Sequence, residues 1–108
     1  MDEEFIASMA AAIVNEIHPD EIFLFGSHAR GDARTGSDID LLVVVPDSDE
    51  ALRHRRRMTG RLYRSLAHYP VSKDILVYTR AEVDRWRAVQ GHVVAAGMRE
   101  GRRLYARQ

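Results

Sequence analysis

Residues 41–45 read Leu-Leu-Val-Val-Val and are closed by Pro46. So short an apolar run, rich in β-branched residues, reads as a strand, and successive side chains of a strand point to opposite faces. Both faces must therefore be covered, which places this strand inside a layered fold. Its polar residues stand only at its start, Asp38 and Asp40, so residues 38–45 form one strand. Two further β-prone runs accompany it: Glu21 to Phe25, ending at Gly26, and Val71 to Thr79, following Pro70.

The covering layers are helical. Residues 2–18 carry Ile6, Met9, Ile13 and Ile17 at helical spacing, with Asp2 as a cap, Glu3 and Glu4 suited to the positive end, and Pro19 as the stop. In residues 48–69, Leu52, Thr59, Leu62, Leu66 and Tyr69 can share one helical face, though Gly60 weakens it. From Arg80 the text is helical again through Val83, Trp86, Val93, Val94 and Met98, with Gly101 a terminator and a short tail around Leu104 and Tyr105. The expected fold is α+β: a small mixed β-sheet with helices packed on it, in a single domain spanning residues 1–108.

The chain has 16 basic and 16 acidic residues, which argues against a protein held to nucleic acid by bulk charge. Cysteine is absent, excluding a disulfide framework, a thiolate metal site and a cysteine nucleophile. The opening Met-Asp-Glu-Glu is the reverse of a basic signal-peptide start, and no apolar run approaches membrane-spanning length, so a cytoplasmic location without membrane contact is expected. The zero balance conceals an asymmetry: residues 1–52 carry 12 Asp/Glu and two Arg, while residues 53–108 carry four Asp/Glu and 14 Arg/Lys. The halves can pair as charged surface, or one can gather carboxylates for a metal while the other offers a cationic docking face.

Chemistry concentrates between Gly26 and Asp40. A strand runs into Gly26-Ser27, ten residues follow, and the next strand begins Asp38-Ile39-Asp40. Residues two apart on a strand face the same way, and carboxylates so placed suit a hard dication such as Mg²⁺. A glycine at a strand end lets backbone approach a ligand closely, and a serine opening a short helix over residues 27–33 offers a hydroxyl and N–H groups to phosphate. Asp74 is an acid within an apolar strand, so it either meets a cation or lies at the strand's edge in water. With Asp38 and Asp40 it makes three carboxylates on adjacent strands, a set that can hold two Mg²⁺ ions about 4 Å apart.

The pattern Gly-Ser, ten residues, Asp-x-Asp and a third-strand Asp resembles the nucleotidyltransferase fold of the DNA polymerase β superfamily. The phrase from Gly26 to Val45 is most similar to its minimal nucleotidyltransferase group. The resemblance implies that Asp38 and Asp40 bind both metals, and that Asp74 binds the catalytic metal and helps deprotonate an acceptor. Gly26 and Ser27 would grip the triphosphate of ATP, and Arg30 would make a phosphate or structural contact. It further implies a toxin–antitoxin role: transfer of AMP to a tyrosine of a HEPN-type ribonuclease toxin. The alternatives are neutralisation by covering the partner, and transfer to a small molecule of aminoglycoside type, which so short a chain disfavours.

Other features read as background. Arg53-His54-Arg55-Arg56-Arg57 is either solvated surface or a docking site for an acidic partner; with no interleaved aromatics, direct nucleic-acid binding is not expected. Arg61 and His68 match an R-x6-H spacing by chance. The five histidines lack paired metal spacing, with His28 expected to face solvent, Asp32 to be loop surface, and Trp86 and Tyr105 to be packing residues.

Overall fold

The computed structural model describes residues 3–108; the Asp2 cap lies outside them. In chain order the elements are α1 Glu3–Ile17, β1 Glu21–Phe25, α2 Ser27–Arg30, β2 Ile39–Val45, α3 Asp49–Arg53 and α4 Arg55–Ser65, then β3 Lys73–Thr79, α5 Arg80–Trp86, α6 Val93–Glu100 and β4 Arg102–Ala106. One sheet runs β3-β2-β1-β4. β1 is antiparallel to β2 and β4, whereas β2 and β3 are parallel, joined by the α3–α4 crossover that a parallel pair requires. The sheet is mixed, with helices on both sides, as expected from the sequence.

β2 is the reason for two sides. Ile39, Leu41, Val43 and Val45 pack with Ile22, Leu24, Ile75 and Val77 against α1 (Ile6, Met9, Ile13) and α4 (Met58, Leu62). On the opposite face Leu42 and Val44 join Phe23, Phe25, Leu76 and Tyr78 beneath α5 and α6, through Val83, Trp86, Val94 and Met98. Each fully buried aliphatic side chain is worth about 1.5–3 kcal/mol, so the unbroken run at residues 41–45 anchors both layers. Asp40 and Asp74 belong by alternation to the α5–α6 face, one pleat beyond Leu42 and Leu76.

Several element boundaries differ from expectation. The helix expected over 48–69 is two: Ser48 caps α3 by accepting from Ala51 N–H, and His54 leaves helical geometry at φ −127°, ψ 35°. This turn re-aims α4 so that Arg55 reaches Glu82 at 2.7 Å. The C-terminal helical text also divides, because Gly91 takes a positive φ of 84° and His92 Nδ1 accepts from Val94 N–H to start α6. The expected tail is instead β4, an edge strand on β1 whose Arg-Arg-Leu-Tyr-Ala lacks polar–apolar alternation. β2 starts at Ile39, not Asp38, β3 starts at Lys73, not Val71, and α2 stops at Arg30 before the left-handed Gly31. No helix among the described residues is long and apolar enough to cross a membrane.

Candidate active site

The site lies where β1 ends and β2 and β3 begin. Across the sheet Phe25 pairs with Asp40, and Asp40 pairs with Asp74. Register partners project from the same face, so the central aspartate stands between the end of β1 and the third-strand aspartate. Asp38 precedes β2 by one residue and is exposed.

Gly26 fixes the approach of turn to carboxylate. Its φ of 74° and ψ of −156° lie in a region reserved for glycine. A Cβ there would run into Asp40 Oδ2, well inside van der Waals contact. The Gly26 carbonyl accepts from Ala29 and Arg30 N–H, both at 3.1 Å, turning the chain directly into α2. Ser27 is therefore the first helical residue, its own N–H without an intrahelical carbonyl, and its hydroxyl makes no hydrogen bond among the described residues.

Burial, then the charges of Asp74 and Asp38, push the Asp40 carboxyl above its ordinary range; His28 and Arg30 pull the other way. The three acids thus share one electrostatic neighbourhood, faced by His28 and Arg30. Asp74 itself is exposed, so its presence in an apolar strand is explained by its place at the wet start of an edge strand. Burial gives it no need of a cation; what marks it is its alignment with Asp40.

Arg30 is exposed and engaged by Asp32 at 3.4 Å and by Glu100 at 3.9 Å, the second pair tying α2 to the end of α6. His28 does not simply face solvent: its Nε2 lies 3.3 Å from the Ser37 carbonyl, holding α2 to the loop before β2. With Arg34, Thr35, Gly36 and Ser37 it lines an open cavity of about 530 Å³. Composition alone could not assign His28 a place; its position next to Ser27 was the available signal. Asp32 is loop surface, Trp86 stacks on His92 at 4.7 Å, and Tyr105 packs on the larger core, all as expected.

The donor set fits a hard dication: three carboxylates whose repulsion a cation would relieve, beside a turn without a Cβ. Among the described residues no three acidic or histidine side chains close into a ready metal cage. Mg²⁺ does not require one, since it is commonly held by one or two carboxylates together with phosphate oxygens and water.

The α+β sheet thus carries two register-paired aspartates, Asp40 and Asp74, beside a glycine-serine turn. The chain belongs to the nucleotidyltransferase domain family, whose model matches residues 8–107. No curated protein matches it. Among solved structures it is similar to a candidate nucleotidyltransferase from Sulfolobus solfataricus, at 23% identity and TM-score 0.63, covering 96% of this chain and 79% of that one. A toxin–antitoxin structure with AMP-PNP matches at 19% identity and TM-score 0.53, covering 94% of this chain and 74% of that one. A toxin–antitoxin MntA-HpeT mutant with two Asp-to-Glu changes matches at 18% identity and TM-score 0.50, covering 100% of this chain and 76% of that one. At these identities the likeness is one of fold.

Proposed function

We propose that this nucleotidyltransferase domain transfers AMP from ATP to a hydroxyl, a tyrosine of a HEPN-type ribonuclease toxin, and so acts as that toxin's antitoxin. The observation that carries the proposal is the row Gly26, Asp40 and Asp74, in which a glycine-only turn touches the central carboxylate and the third acid is its register partner. Family membership supports transfer, and the toxin–antitoxin neighbours, one of them described with AMP-PNP, support the kind of partner.

In this reading Asp38, Asp40 and Asp74 hold two Mg²⁺ ions, which when bound offset phosphate charge and stabilise the attacking and leaving oxygens. Gly26 lets the triphosphate lie close to the backbone, and Ser27 supplies a hydroxyl and an N–H donor to its oxygens. Asp74, exposed at the start of an edge strand, is open to an incoming partner and takes the proton of the acceptor hydroxyl. The hydroxyl oxygen then bonds to the α-phosphorus as the bond to the bridging oxygen breaks, and pyrophosphate carries that electron pair away. Arg30, held by Asp32 and Glu100, acts by positioning α2 and by its field at Asp40.

The test combines α-labelled ATP, Mg²⁺ and a purified HEPN-type toxin. Label should pass to a toxin tyrosine and ribonuclease activity should fall, with both effects lost in Asp38→Ala plus Asp40→Ala. Neutralisation that persists in the double variant without label transfer would instead establish occlusion.

A further inference from the structure

We infer that the outer side of α3 and α4 is a docking face for an acidic protein surface, separate from the nucleotide site. The face is built from Arg53, Arg56, Arg57 and Arg64, with Leu52 beside them at 61% exposure. Arg53 and Arg57 are four residues apart and Arg64 follows seven later, spacings that share one side of a helix. The His54 turn interrupts that helix, and all four arginines are nonetheless exposed.

Four exposed arginines without counter-charge lie together here, whereas Arg34, Arg85 and Arg99, also without an ion pair among the described residues, are scattered over a loop, α5 and α6. Arg55 is held by Glu82, Arg61 by Glu16 and Glu50, Arg80 by Glu21, Arg102 by Glu3 and Arg107 by Asp20. Arg53, Arg56, Arg57 and Arg64 make no ion pair among the described residues. Asp49, one turn before Arg53, does not close on it. Stability does not account for the arrangement: the first turn of α4 holds Arg55, Arg56 and Arg57, no acid and no side-chain cap, so like charge gathers at the positive end of the helix dipole. Such a placement is unfavourable in the free chain and is relieved when an anionic surface arrives.

A protein fits better than RNA. Tyr63 is the one aromatic within α4, so the face lacks the succession of rings on which single-stranded bases stack. Exposed leucine among unpaired arginines is the composition of a protein contact, with the charges steering encounter and an apolar group excluding water. The face ends near Tyr63, whose hydroxyl accepts from the N–H of Ile75 in β3. The inference holds whether or not nucleotide is transferred.

A glutamate-rich helical peptide carrying interspersed leucines and a single-stranded oligoribonucleotide of equal formal charge are titrated against the full chain by fluorescence anisotropy at physiological salt. The peptide should bind, and Arg53→Glu, Arg56→Glu, Arg57→Glu and Arg64→Glu combined should weaken it by roughly tenfold or more. Arg85→Glu with Arg99→Glu, on the α5–α6 side, should change it by less than about threefold. The single variant Arg57→Glu, which places an acid in the first turn of α4, should raise Tm while weakening the peptide, a combination that misfolding cannot produce. Absent peptide binding, equal loss in the control pair, or tighter binding of the oligoribonucleotide would each overturn the assignment.

Discussion

At Gly26 the backbone adopts a conformation closed to other residues and brings the turn against Asp40. Gly26→Ala must move either the turn or the carboxylate. It should cost about 1–3 kcal/mol, seen as a lower denaturation midpoint, and should depress transfer by at least about 100-fold because both partners shift. Asp40 carries the opposite balance, since burial and the charges of Asp74 and Asp38 raise its carboxyl. An acid raised on folding destabilises the native state as pH climbs through its folded value and ceases to do so below its unfolded value. Asp40→Asn should therefore raise Tm by a few degrees at neutral pH, with the gain shrinking on acidification, while abolishing transfer. A calorimetric pH series on both proteins checks it; a gain unchanged at low pH would contradict it.

Among the elements, the start of α5 shows the reverse titration. Burial pushes the Glu82 carboxyl up, but hydrogen bonds and charge from Arg55, together with Thr79, outweigh burial and hold it below its usual range. Glu82 also completes a capping box with Thr79. A lowered acid contributes stability above its unfolded range, and that contribution is lost as pH falls through the folded value. Glu82→Gln should cost on the order of 1 kcal/mol near neutrality and flatten the acid side of the stability profile, read by urea unfolding between neutral and mildly acidic pH. The same scale shows why some boundaries escaped the sequence. The break at His54 and the turn at Gly91 depend on which helix face reaches the sheet, and β4 depends on a partner strand far away in the chain. Local periodicity carries neither kind of information.

For the whole molecule, the five-residue apolar run was the most legible feature, because a strand covered on both faces dictates helices on both sides. The candidate site was legible because Gly26, Asp38 and Asp40 are close in sequence and Asp74 stands out against apolar neighbours. The sequence left two causes open for Asp74, a cation or the wet edge of a strand; it stands exposed at the start of edge strand β3, in register with Asp40. His28 and the cavity it lines emerge only when the loop before β2 folds back on α2. Asp38, Asp40 and Asp74 are proposed to act as one cation-assisted nucleotide site beside Gly26 and Ser27. The most direct measurement is the shift in Tm produced by ATP with and without Mg²⁺, for the wild-type chain and for Asp74→Asn. A stabilisation of several degrees is expected, one that needs both ligands at saturating concentration and is largely lost in Asp74→Asn. An equal shift in that variant, or one independent of Mg²⁺, would contradict it.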